Sequence, residues 1–160
     1  MTIKHFRRFA REWAMQFLFQ CDLTSMENKE EAIDIFLAQL EDSEAFDVPS
    51  DAKILRKADR TARGIINGIL ENIAEIDKVI SEYSSKWSIA RMATVDRNVM
   101  RVAVYEMLFC QNVPPVVSIN EAVEIGKIYG TGNTASFING VLNAVMNTLS
   151  RSSREAVSEK

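Results

Sequence analysis

Apolar residues recur at three- and four-residue spacing along most of the chain, and the strict alternation of a half-buried strand is scarce. The first stripe is Phe6, Ala10, Trp13, Phe17 and Cys21, widened by Ala14 and Leu18, and it predicts a helix from near His5 or Phe6 to about Leu23. Ile33, Phe36, Leu37 and Leu40 predict a short second helix, roughly Lys29 to Leu40. Val48-Pro49-Ser50 closes a loop and offers Ser50 as N-cap of the longest predicted helix, about Asp51 to Tyr83. Along it Ile66, Ile69, Ile73, Ile76, Ile80 and Tyr83 step three and four apart, a seam that needs a partner helix. The seam spans about three heptads, and the chain has other helices to cover it, which favours an intramolecular core over a coiled-coil dimer. Gly64 and Gly68 lie on roughly one side of the same helix, where they permit close helix approach or a bend.

Ser84-Ser85-Lys86 breaks this pattern, and Trp87 to Met92 predicts a short connector helix. Thr94 is placed to cap the next helix, with Asp96 in its first turn where the helix dipole favours an acid. Val95, Val99, Val102, Ala103, Met107 and Leu108 make that helix apolar over much of its circumference, so it is expected at the centre, ending before Pro114. Beyond Pro114-Pro115, Ser118-Ile-Asn-Glu121 reads as a capping box. The helix it opens runs to Tyr129, with Gly130 as its left-handed stop. Thr131 to Thr134 then leads to a last helix carrying Phe137, Val141, Leu142 and Val145 at helical spacing. Residues 112–145 are therefore a capped helical hairpin.

The pattern makes the fold class all-α, a bundle of about seven helices, as one domain over residues 1–150 followed by a flexible polar tail, 151–160. At 160 residues the chain is long enough for one substantial core. Cys21 and Cys110 each sit in an apolar helical run and are read as reduced core residues. With His5 the only histidine, no metal-ligand cluster and no Ser/His/Asp arrangement can be assembled. Gly130-Thr-Gly132 neither follows a strand nor ends in Gly-Lys-Ser/Thr, so it is not a phosphate loop. No enzymatic activity, cofactor or metal is expected. No segment reads as a signal peptide or membrane span, and the expected location is cytoplasmic.

The formal net charge of −3 conceals an asymmetry. Residues 1–11 carry Lys4, Arg7, Arg8 and Arg11 and no acid, a local +4, whereas residues 22–51 carry ten acids against Lys29 alone, a local −9. Four cations at a helix N-terminus oppose the macrodipole. The basic arm is either a solvated face or a phosphate-binding segment. Single-stranded RNA is held in such a way, by cations along its backbone and by aromatic or polar side chains offered to splayed bases. The acidic segment reads either as a solvated face or as a surface that repels RNA from that side of the molecule.

The runs VPPVVSINEAVEIGK and YGTGNTASFINGVLNAV, with RVAVYEML over residues 101–108 and Arg7-Arg8-Phe-Ala-Arg11-Glu12 near the start, resemble the NusB family of transcription antitermination factors. The resemblance implies two three-helix subdomains packed together. It also implies a non-enzymatic protein that binds the boxA element of ribosomal RNA leader transcripts with NusE, a small-subunit ribosomal protein, within an RNA polymerase antitermination complex. Carried onto this sequence, the RNA-binding residues are Lys4, Arg7, Arg8, Arg11, Phe19, Asn133 and Phe137, and Asp96 and Tyr105 match positions near the NusE surface. Phe137 and Tyr105 fit the core equally, and Asn133 fits an N-cap. The sequence places Phe9 inside the arginine-rich motif and an amide, Asn133, where many relatives have an acid. The alternatives are an RNA-docking module serving a modifying enzyme in trans, and a homodimeric helical adaptor.

Overall fold

The structure, a computed structural model, describes residues 5–43, 47–85 and 87–153; Lys4, Glu44, Lys86 and residues 154–160 of the expectations above lie outside them. Among the described residues there are seven α-helices, one 3-10 turn and no strand. The helices are α1 (Phe6–Leu23), α2 (Lys29–Asp42), α3 (Ala52–Glu71), α4 (Ile73–Tyr83), α5 (Thr94–Phe109), α6 (Pro115–Tyr129) and α7 (Thr134–Met146), with the 3-10 turn at Ile89–Arg91. The chain divides into two compact units, residues 1–67 and 68–160, the boundary falling inside α3.

In the first unit each helix is opened by a side chain. His5 Nδ1 accepts from the Arg7 N–H at 3.2 Å, and Asn28 Oδ1 accepts from the Glu31 N–H at 3.1 Å. At α3 the cap is Asp51, one residue beyond the expected Ser50. Its Oδ1 accepts from Lys53 N–H at 2.8 Å and Ile54 N–H at 3.2 Å, so one carboxylate satisfies two orphan donors and complements the helix dipole. Phe17 of α1 and Phe36 of α2 meet edge-on at 5.6 Å between ring centres, amid buried Trp13, Leu18, Ile33, Leu37 and Leu40. Arg63 of α3 pairs with Asp34 of α2 and with Asp59 one turn back, and these carboxylates raise its pKa further.

In the second unit the expected single helix from 51 to 83 is broken at Asn72. The Asn72 side chain donates to the Gly68 carbonyl at 2.8 Å and its N–H to the Ile69 carbonyl at 3.1 Å, so the amide competes with the regular ladder. The isoleucine seam survives the break, with Ile66, Ile69, Ile76 and Ile80 buried. Helix α5 packs against α4, α6 and α7, the central position its apolar circumference predicts. Its buried Arg101 makes a two-point ion pair with Asp77 of α4, 2.8 Å on each nitrogen, and a third bond to Asn98 at 3.0 Å.

The hairpin forms with different terminators. Helix α6 starts at Pro115, where the missing N–H costs nothing and φ is already helical. Ser118 is thus one turn inside the helix, 1% exposed, with its Oγ unpartnered, and it caps nothing. Gly130 is extended (φ −93°, ψ −168°) and not left-handed. Its need for glycine is steric, because a Cβ there would sit 2.4 Å from Thr134 Oγ1. The start of the expected tail is held as well. The Arg151 guanidinium donates to the carbonyls of Met107 (3.0 Å), Val113 (3.0 Å) and Gln111 (3.1 Å), and Val116 N–H donates to the Ser153 carbonyl at 2.9 Å. Burial lowers the Arg151 pKa from its usual value.

Candidate nucleic-acid interface

Each unit presents one surface with the chemistry that single-stranded RNA requires. In the first unit this is the start of α1. Two cations lie over the Phe6 ring, with Arg7 Cζ 5.6 Å and Lys57 Nζ 5.7 Å from its centroid. The His5 ring is tilted against the same ring, 4.4 Å between centroids. Helix α1 becomes buried all round from Phe9 to Met15, which explains both departures from a simple basic arm. Phe9 interrupts the arginines because the core begins there. Arg11, expected on the basic face, is only 5% exposed, since no side of the helix faces water at that depth. Arg7 and Arg8 remain partly exposed. Phe19, also partly exposed, is thirteen residues beyond Phe6 and so about 20 Å further along the axis.

Lys57 belongs to a basic face of α3 that is not among the residues expected from the sequence. Lys53, Arg56, Lys57 and Arg60 are all exposed on α3, spaced three, four and seven apart, hence on one face. None makes an ion pair among the described residues, in contrast to Arg63, which is held by two acids. The signal was legible as periodic charge. It shares its predicted helix with the apolar seam, whose period dominates the spacing there.

In the second unit the surface is built from the 3-10 turn, the start of α5 and the start of α7. Asn133 stands at the N-cap position of α7, exposed and making no side-chain cap bond. Phe137, one turn on, is half-buried and not core; it walls a cavity of about 330 Å³ together with Trp87, Arg91, Met92, Asp96 and Asn133. Asp96 is fixed there, its Oδ1 accepting from the buried Thr134 hydroxyl at 2.7 Å while Thr134 Oγ1 accepts from Thr131 N–H at 3.0 Å.

Asp96 therefore shares a cavity with Asn133 and Phe137. It does not share a patch with Tyr105: nine residues along α5 is two and a half turns, which puts the two on opposite sides and about 13 Å apart along the axis. Tyr105 is half-buried across Gly68, its ring 5.8 Å from that of Phe109, which is 40% exposed. Burial, and then the neighbouring Cys110, push the Tyr105 hydroxyl up to about 12.

The chain matches the model of the NusB family over residues 8–147. It is 43% identical over 141 residues to the transcription antitermination protein NusB of Pelotomaculum thermopropionicum, covering 88% of each chain. It is 40% identical over 139 residues to that of Syntrophus aciditrophicus, covering 87% of this chain and 78% of the other. Among solved structures, NusB of T. maritima superposes with a TM-score of 0.74 at 37% identity, over 98% of this chain and 96% of that one. A complex of the antitermination factors NusB and NusE with double-stranded RNA gives 0.73 at 26% identity, over 90% and 98%.

Proposed function

The chain belongs to the NusB family of transcription antitermination proteins, and on that premise we propose that it binds the boxA element of ribosomal RNA leader transcripts together with NusE. In this reading it is a binding protein and not an enzyme, working in the cytoplasm as part of an antitermination complex on RNA polymerase. Among the described residues no helix is long and apolar enough to cross a membrane.

The observation that carries the reading is the cationic end of the first unit. Arg7 and Lys57 both lie over one aromatic ring there, and Lys53, Arg56 and Arg60 extend the charge along α3, none of them paired with a carboxylate among the described residues. Four solvated cations on one helix face repel one another, and a polyanion relieves that repulsion. Arg7 and Arg8, with the four cations of α3, hold the RNA backbone, while Asn133 and Phe137 in the second unit take bases. NusE docks on the α5 side that carries half-buried Tyr105 and exposed Phe109, whose rings lie 5.8 Å apart.

The test is binding of a short boxA RNA and of a scrambled RNA across a salt series, with and without NusE. Six phosphate contacts on a single strand predict a slope of log K against log salt of about −4. Replacing Arg7 and Arg8 by glutamine lowers the slope by about 1.4. Equal affinity for boxA and scrambled RNA, with NusE present or absent, would refute the reading.

A further inference from the structure

We propose that Trp87 is a base-stacking residue, forming with Phe137 the shared wall of two adjoining cavities that each receive one unpaired RNA base. The inference rests on the RNA-binding function proposed above. The chain has two tryptophans, and they are treated in opposite ways: Trp13 is 2% exposed and Trp87 is 53% exposed. The backbone that carries the exposed indole is held in place here. The Trp87 backbone N–H donates to the Ser84 carbonyl at 3.2 Å, and the buried Ser84 hydroxyl donates to the Trp87 backbone carbonyl at 2.8 Å. Between them Ser85 has φ +37°, a positive value uncommon outside glycine and the only such non-glycine position among the described residues. Backbone strain of this kind persists where surrounding bonds enforce it, and it clusters at binding sites.

Two cavities meet at this indole. One, of about 330 Å³, opens towards Arg91, Asp96 and Asn133; the other, of about 380 Å³, runs past Tyr83 and Ser136; Trp87 and Phe137 line both. The occupant is identified by what surrounds the rings. Aromatic faces stack any base, and an exposed guanidinium (Arg91) suits a phosphate or the face of a further base. The free amide of Asn133 can both donate to and accept from a base edge. Asp96, already oriented by Thr134, offers a carboxylate to an exocyclic amino group. An aliphatic side chain from a partner protein would leave the amide, the carboxylate and the guanidinium without a role.

Intrinsic fluorescence tests the proposal in the full chain, because buried Trp13 serves as an internal reference. Titration with short single-stranded boxA RNA is expected to quench the wild-type emission and to leave that of Trp87→Phe almost unchanged. Trp87→Ala is expected to weaken RNA binding about 5- to 150-fold, the range of one lost stacking contact, with Trp87→Phe restoring most of it. Abasic sites introduced along the RNA should remove the difference between wild type and Trp87→Ala at one or two positions only. If boxA RNA binds with a normal salt slope but Trp87→Ala binds equally well and no quenching occurs, the stacking role is overturned while the RNA-binding function stands. If no boxA preference exists at all, both fall together. Quenching by NusE alone and not by RNA makes the cavity a protein-docking site and overturns the proposal.

Discussion

Two glycines one turn apart on α3 should respond to alanine with opposite signs. A Cβ at Gly64 meets nothing within 4 Å, whereas a Cβ at Gly68 would sit 2.3 Å from Tyr105 Oη and 2.4 Å from the ring carbons Cε2 and Cζ. Both substitutions gain about 1 kcal/mol of helix propensity. At Gly68 the ring must be displaced by about 1 Å to reach ordinary contact distance. Pushing a half-buried tyrosine outward surrenders roughly 100 Å² of apolar burial, about 2.5 kcal/mol at 25 cal/mol per Å². Gly64→Ala is therefore expected to raise stability by about 1 kcal/mol and the melting temperature by about 2–4 °C. Gly68→Ala is expected to lower stability by about 1.5 kcal/mol and the melting temperature by about 3–6 °C. Urea denaturation and thermal scans of both variants measure this. The decisive arm is the Tyr105→Ala background, in which Gly68→Ala should change sign and become stabilising, because the obstructing ring is gone. Stabilisation by Gly68→Ala in the wild-type background would refute the argument that Tyr105 is packed against the α3 backbone.

Three further outcomes follow from the same geometry. Ser118→Ala should stabilise the protein by about 1 kcal/mol, since it removes an unpartnered buried hydroxyl from a helix interior; a capping residue would instead lose about that much, and equilibrium urea unfolding distinguishes the signs. Arg101→Met should lower stability by about 2–3 kcal/mol by leaving Asp77, three-quarters buried, without its two-point partner, an effect that Asp77→Asn in the same background should largely relieve in a double-mutant cycle. The raised Tyr105 hydroxyl makes stability fall with rising pH: the native state keeps the proton that the unfolded chain releases above about 10, so the contribution is fully present below that pH and lost by about 12. Subtracting the same pH series for Tyr105→Phe isolates it.

Helix existence was legible in the chain because apolar spacing is imposed by burial, and α1, α2, α5 and α7 fall within a few residues of expectation. Helix ends were less so. Ser118-x-x-Glu121 has the pattern of a capping box, yet Pro115 one turn earlier has the stronger claim on the first position. Asn72 looked like one polar residue in a long periodic run, and nothing in the spacing shows that its amide will take the Gly68 carbonyl. The basic residues of α1 and the pairing of Asn133 with Phe137 one turn apart were visible as sequence. Which of them face water was not: Arg11 is buried because α1 is covered on every side at that depth, a property of its neighbours and not of its own stripe. The exposure of Trp87 was illegible for the converse reason: no periodicity in a short connector says which way a large aromatic faces, and the turn bonded through Ser84 sets the backbone that carries it.

The Arg151 clamp has a consequence for the nascent chain. The carbonyls at the end of α5 wait for a guanidinium that follows Glu106 by 45 residues. At ribosomal rates of 5–20 residues per second that is a delay of roughly 2–9 seconds. Until then α5 is a helix with an open end, and α6 and α7 must dock on it in that condition. The arginine that closes α5 is thus translated only after α6 and α7, the two helices that pack on it.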